Sequence, residues 1–572
     1  MKRANLSHVG MSVLCCVFLG GQASKAATAP APAPVDRKAD LLIENAQVYT
    51  VDAARSWAQA VGVKDGKIVY VGPDEGARVF KGQGTKVVDL EGQMLLPGFI
   101  DGHNHAYLMS ESLFWVSLNP YSTVKDRQQA LTDYRRAHPG IKQLRGVGWD
   151  DIEKDAAAAG VTPRALLDQA VADVPVAIIT NGHHEIIANS KALQLAGIGR
   201  DTPDPKGGYF SRDSKSGEPS GVLHEFAAQN MVIRALPQPD FTVDEYKETL
   251  LAWQKVANAD GLTSVFVPIH YPTENLLKAF QALDAQGKLT VRYDLALWAN
   301  ENRGVEQVPE LVALRGKYQG KSFKIDSIKI FSDGVGASKL VWNQTVLEQT
   351  VAALDKEGFR IYVHAIGNTG FYPSSNVLDA FAFARKMNGR RDSRHAITHL
   401  DWTRHEEIAR FQDLGVIAVP QPVWFGKDWF VNAPRDKLVD LNMLESYFKA
   451  GVPVVSSSDF PSTNTFKLDM YPPAGIEVGM TRLDPNKTTE ADLGKALWPQ
   501  ERATLPQMIA SYTINGAYLT FSEHETGSIE VGKKADFVVL DRNLFKIPQT
   551  SISEVKVTST YYGGKEVFRA QR

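Results

Sequence analysis

Two histidines one residue apart, His103 and His105, close the apolar run Met94-Leu95-Leu96-Pro97-Gly98-Phe99-Ile100-Asp101-Gly102. In an extended strand residues i and i+2 project to the same side, so the two imidazoles leave the strand end together. The pair reads as a metal half-site or as a polar turn after a buried strand, and its spacing alone does not choose. Later apolar runs favour the metal, because they too stop at a ligand type or at its partner. They end at Lys329 with Asp333, at His364, at His399 and at Asp459.

For these groups to meet, the runs that carry them must lie side by side. Eight runs of strand length stand between helix-like stretches: Gly98 to Asp101, Ser264 to Pro268, Val291 to Trp298, Ile325 to Ser332, Arg360 to His364, His395 to His399, Gly415 to Pro420, and Val452 to Ser458. Eight such units predict an α/β fold of the (β/α)8 TIM-barrel type, whose chemistry lies at the C-terminal ends of the strands. The polar groups named above end the first, fourth, fifth, sixth and eighth runs. Residues 106–260 are too many for one crossover helix, so they are expected to form a large insertion after the first barrel strand. Within it, Gly146 to Asp150 and Asn181 to Glu185 are candidates to reach the site.

Residues 40–96 alternate short β-rich runs with turns, among them the hairpin turn Lys64-Asp65-Gly66-Lys67. A matching set returns in Ala535 to Leu540 and Val555 to Phe568, with a Gly563-Gly564 turn. The two sets are expected to pair into one small β-sandwich domain built from both chain ends, residues 40–96 with 522–572. That leaves 97–521 for the barrel.

At 572 residues, 44% hydrophobic and 22% charged, the composition is globular and excludes disorder or a coiled coil. The start reads as a signal peptide: Lys2 and Arg3, an apolar stretch from Met11 to Gly20, then small residues, with cleavage placed after Ala26. Residues 27–39 read as a flexible leader. Both cysteines, Cys15 and Cys16, lie inside residues 1–26, so disulfides and thiolate chemistry are not expected in the mature chain. Cleavage also removes three basic residues and no acids, leaving 60 basic against 65 acidic, net −5. No basic excess points to nucleic acid or to an anionic membrane as partner. A periplasmic or secreted protein with a small-molecule substrate is expected, no membrane association after signal cleavage, and a homo-oligomer is left open.

Further motifs extend the pattern: His364-Ala365-Ile366-Gly367, Arg394 to His399, Ser458-Asp459, Tyr512 to Ala517, Gly532 to Phe537, Gly148-Trp149-Asp150, Asn189 to Leu193, Gly221 to Glu225 and Ile328 to Gly334. In this order, over essentially all of the mature chain, they resemble the amidohydrolase superfamily. More closely they resemble its YtcJ-like branch, amidohydrolase family 3, which includes N-substituted formamide deformylase. The resemblance implies His103, His105, His364 and His399 as metal ligands, with Asp459 as ligand and general base. It also implies Lys329 as a carboxylated lysine bridging two metals, against the alternative of an ordinary ion-paired lysine. Such a set suits one or two divalent transition metals, zinc first, then iron or manganese, which lower the pKa of bound water to about 7. His184 matches a histidine on the substrate side, although the adjacent His183 leaves the register open. Trp149 is read as a substrate-facing aromatic from the insertion, and Trp424 and Trp429 as substrate-facing aromatics after the seventh strand or as packing under the insertion. His395, four residues before His399, is read as a supporting group. The chain departs from the family pattern at Asn368, Thr398 and Val267-Pro268.

These readings converge on an exported metal-dependent hydrolase of an amide or related C–N bond, with His364, His399 and Asp459 at the reacting centre. Ester, lactone or cyclic-amide hydrolysis fits the same groups. The rival from another class is an exported binding or regulatory protein without turnover.

Overall fold

The computed structural model describes residues 38–269, 274–334, 338–426, 434–461, 470–487 and 489–571. Its centre is a seven-stranded parallel sheet. In chain order the strands are Phe99–Asp101, Leu262–Pro268, Arg292–Trp298, Phe323–Phe331, Arg360–Ala365, Ala396–His399 and Ile417–Val419, and each neighbours the next. These segments are almost wholly buried. That is why they appear in the sequence as unbroken apolar runs rather than as an alternating pattern.

The eighth run forms no continuous strand, yet it bonds to both edges of this sheet. On one side Ala418 N donates to Pro453 O and Val455 N to Ala418 O; on the other Gly102 N donates to Ser456 O and Asp459 N to His103 O. The sheet therefore curls until its first and seventh strands share one connecting segment. Phe266, Ala296, Tyr362, Ala396, Ile417, Val419 and Val455 fill the space enclosed, with the rings of Phe266 and Tyr362 stacked at 4.3 Å across it.

Helices such as Val243–Ala259, Gln344–Lys356 and Pro373–Asn388 pack outside the sheet. The first opens with a capping box, Thr242 bonding the Glu245 N–H while the Glu245 carboxylate reaches back. Between the first and second strands, residues 116–224 contribute a separate six-stranded sheet, from Val116–Ser117 to Pro219–His224.

The chain ends meet in another sheet, where Phe537–Leu540 pairs antiparallel with Met94–Pro97 on one side and with Val557–Tyr562 on the other. The hairpin turn at Asp65 and Gly66, with φ of 50° and 75°, has the two positive φ values that a tight two-residue hairpin requires. Gly66 O accepts from Ala535 N, and Ala535 O accepts from Gly564 N, so the two glycine turns recognised in the sequence lie against one another.

Candidate active site

The strand ends carry the chemistry. Asp101, closing the first strand, accepts from the N–H groups of His103 and Ser458 and from the Asn104 amide, which ties that strand to the 453–460 segment. Asp459 is thereby held opposite the histidine pair. His103 Nε2, His105 Nε2 and Asp459 Oδ1 form a triangle with every side 3.1 Å, and all three residues are buried. Three backbones here sit in the left-handed region, His399, Leu400 and Asp459 at φ 72°, 60° and 54°. Strain of this kind concentrates where structure is spent on function.

The partners of the outward ring nitrogens fix the tautomers. His105 Nδ1 lies 2.9 Å from Pro268 O, which can only accept, so that nitrogen carries the proton. His103 Nδ1 lies 2.9 Å from Tyr362 OH and 3.0 Å from Thr398 Oγ1. Those hydroxyls already donate, to Gly102 O and Val419 O, and so they accept from the ring. His364 Nδ1 meets Asp333 Oδ1 at 2.8 Å, and His399 Nδ1 meets Gln421 Oε1 at 3.0 Å. The Gln421 amide is oriented by its own donation to Thr398 and Ser457. All four histidines therefore turn an unprotonated Nε2 inward, the arrangement found at metal-ligating imidazoles.

Electrostatics agree. Burial holds His103, His364 and His399 well below the usual imidazole pKa, helped by the Lys329 ammonium at His103 and His364 and by His364 at His399. Burial also lowers His105. Two bare nitrogens and a carboxylate oxygen 3.1 Å apart repel one another unless a cation lies between them. Oxygen and nitrogen ligands around an ion at zinc-type bond lengths are themselves roughly 3.0–3.4 Å apart. The residues fit a divalent metal.

His103, His105, His184, Lys329, His364, His399, Trp424 and Asp459 all line one cavity of about 390 Å³. The rings of His364 and His399 are 4.4 Å apart, and Trp424 stacks on His399 at 5.4 Å. Lys329 is fully buried against the faces of Phe331 and Tyr362. Among the described residues no carboxylate pairs with it, so the ion-paired alternative finds no support, and burial brings its amine down to about 7.

His183 and His184 resolve into different partners. His183 bonds Glu111 at 2.9 Å. His184 bonds Glu225 at 3.0 Å and puts its ring 5.9 Å from that of His364. Burial opposes protonation of His184, but Glu225 outweighs it and raises the pKa.

Two sequence readings need correction. Trp149 is fully buried in the apolar core of the insertion with Leu118, Leu131 and Ile152, its Nε1 donating to Asp155, and it does not line the cavity. His395 lies at the opposite end of its strand from His399, bonded to Asp355 and Ile361 N, and supports no ligand. Trp429 falls outside the described residues. Sequence reasoning missed Asp401, which lines the cavity with its carboxyl raised to about 7 by burial and by the charges of Asp333 and Asp459. It gave no role to Tyr362, Gln421 or Glu225, whose partners here are His103, His399 and His184.

Comparison with known proteins gives the same direction. The sequence profile of the amidohydrolase family matches residues 86–568. Exoenzymes regulatory protein AepA of Pectobacterium carotovorum subsp. carotovorum is 33% identical over 370 residues, 61% of this chain and 78% of that protein. N-substituted formamide deformylase of Arthrobacter pascens is 29% identical over 565 residues, 93% of this chain and 98% of that protein. The crystal structure of an uncharacterized metal-dependent hydrolase from Pyrococcus horikoshii OT3 matches with a TM-score of 0.68 and 21% identity, covering 89% of this chain and 99% of that one.

Proposed function

The chain belongs to the amidohydrolase family, and from that premise we propose that it is a metal-dependent hydrolase that cleaves an amide or related carbon–nitrogen bond of a small molecule. The triangle of His103 Nε2, His105 Nε2 and Asp459 Oδ1, buried in a cavity of ligand size, carries this reading. His103, His105 and Asp459 would hold one divalent ion, and His364 and His399 with Lys329 a second. Bound there, the metal supplies Lewis-acid activation of water and of the scissile carbonyl.

The protein's own groups do the rest. Asp459, ionised at working pH, accepts the proton of the attacking water and returns it to the leaving nitrogen. His184, its pKa raised by Glu225, faces the cavity as a donor where charge develops on the carbonyl oxygen. Trp424 walls the substrate beside His399. Lys329 is the site of carboxylation: the neutral form of its amine, made accessible because burial brings the group down to about 7, forms an N–C bond to carbon dioxide and loses one proton, which leaves an anionic ligand.

Metal analysis of the purified protein and a screen of simple amides test this together. About one or two equivalents of zinc, iron or manganese with amide turnover are expected. Metal below about 0.2 equivalents, with no activity on adding zinc or manganese, would refute it. AepA, a relative named as regulatory, favours a non-catalytic reading, but the retained ligand triangle weighs against that.

We also take the curled sheet with its connecting segment as a (β/α)8 barrel over 97–521, with 106–260 inserted and 40–96 with 522–572 as the composite domain. Residues 1–26 are assigned as a signal peptide for the periplasm or secretion, which the N-terminal sequence of protein recovered from the host would test.

A further inference from the structure

A second cavity, of about 430 Å³, adjoins the one that holds the histidines. His183 and Phe226 belong to the walls of both. Interior voids much larger than a water molecule are few in a packed protein, and this volume falls in the range of small-molecule sites. The second cavity lies between the insertion and the loops and helix that follow the strand Arg292–Trp298. Its lining combines aromatic and aliphatic side chains with charged ones of both signs, Glu111, Asp240 and Glu310 against Arg145, Arg234 and Arg303, and Arg145 lies over the Trp115 ring at 3.9 Å. Trp115 and Phe241 stack at 4.9 Å, and Phe241 meets Tyr246 edge-on at 5.5 Å. Trp298 and Leu311 face them from the barrel side, and Ile233 and Leu314 complete the apolar wall. At the junction with the first cavity the charges are matched: His183 Nε2 lies 2.9 Å from Glu111, both buried. At the outer rim Arg303 and Glu310 form an exposed ion pair at 2.8 Å, so this chamber opens to solvent through a polar collar.

We propose that this second chamber receives a neutral aromatic or bulky apolar substituent of the substrate, while the reacting C–N bond sits in the first. The inference rests on the hydrolase reading above and adds the substrate class. Aromatic walls favour a ring, which gains edge-on and stacked contacts beyond its area burial, and the charged residues of the lining are three acids against three arginines, with His183 paired to Glu111, so no single sign of charge invites an ionic group. It also moves the aromatic-binding role from Trp149, which is enclosed in the insertion core, to Trp115, Phe241 and Trp298.

The test is a series of N-substituted acetamides carrying a phenyl ring on a spacer lengthened one methylene at a time, with N-methylacetamide as the small reference. In the native enzyme one spacer length should exceed the reference in kcat/KM by roughly ten- to a hundredfold, the discrimination an apolar pocket supplies. Leu314→Trp and Ile233→Trp fill the chamber from two different walls, and neither residue touches the first cavity. Each should abolish the advantage of the phenyl compounds while N-methylacetamide turnover stays within about twofold. Calorimetric binding of the best phenyl compound to metal-free protein is measured on the same three proteins and needs no turnover. Binding to native protein that is lost in both variants supports the chamber. Equal binding in folded variants, or no preference for phenyl compounds in the native enzyme, overturns it. If no compound in the series turns over but the binding pattern holds, the hydrolase reading fails and the chamber stands.

Discussion

At the scale of single residues, function turns on which atom of each imidazole carries a proton. Pro268 O, Tyr362 OH, Asp333 and Gln421 take the Nδ1 protons of four histidines, and Asp459 completes the triangle. Asp459→Asn keeps the size and one oxygen but removes the negative charge and the base. The variant should fold, bind zinc more weakly, and lose about 10²- to 10⁴-fold in kcat even at saturating metal. Steady-state kinetics at graded zinc check this; more than about a tenth of native turnover with metal in place would remove Asp459 from the proton-transfer role. Lys329 is the second single-residue case. Reconstitution with labelled bicarbonate should give a carbamate carbon resonance in native protein and none in Lys329→Ala. That variant should also carry less metal, and short carboxylic acids should restore part of its activity. Unchanged metal stoichiometry in Lys329→Ala would show that the amine has no part in the centre.

At the scale of elements, Asp355 holds the helix Gln344–Lys356 to the segment before the sixth strand. Its carboxylate accepts from Asn388 and Arg391 at 2.7 Å each and lies 3.2 Å from His395 Nε2. Burial opposes ionisation, but His395 and Asn388 bring the carboxyl down to about 2. A depressed pKa contributes stability above the ordinary carboxylate range and loses it as pH falls, here from about 4 towards 2. The contribution is on the order of 2 kcal/mol. Denaturant melts of metal-free protein should show that much acid sensitivity, and Asp355→Asn should lack it. An unchanged acid slope in the variant would assign the effect elsewhere.

The contrast between the cavity histidines and the residues that orient them explains what was legible in the sequence. His103, His105, His364 and His399 could be read because each ends or directly follows an apolar run, and strand ends face one mouth. The eighth run was legible as an element, although only separate hydrogen bonds, not a strand ladder, hold it in place. Tyr362 and Thr398 could not be read, since their contacts with His103 cross hundreds of residues, nor could Gln421, whose contacts with His399 and Ser457 join different strand ends; none of these leaves a periodic trace. Thr398 was noted only as a departure from the family pattern, yet it is one of the two acceptors at His103 Nδ1. Trp149 was read as reaching the site because it lies in the long segment between the first two strands, whereas its ring packs in an apolar core with Leu118, Leu131 and Ile152.

At the scale of the whole molecule, the two chain ends close one structure. Phe537–Leu540 lies between Met94–Pro97 and Val557–Tyr562, so the sheet next to the strand Phe99–Asp101 has a central member from the C-terminal part of the chain. Val538, Leu540, Val555 and Val557 belong to the same core as Phe99, Leu250 and Val265. Thr560 Oγ1 donates to Asn258 O, and Asp536 pairs with Arg292 at the start of the third strand. Deleting residues 522–572 would expose the edge of Met94–Pro97 and the apolar face under helix Val243–Ala259. The strand that carries His103 and His105 would then be supported from one side only. The truncated chain should be insoluble or bind no zinc, and the intact chain should melt in one cooperative transition that addition of zinc moves upward, as expected when a ligand binds only the folded state. Val538→Asp should reproduce the defect more mildly, lowering the melting temperature and the metal content together. A soluble truncated chain with full metal content would show that the seven-stranded sheet stands without the C-terminal strands.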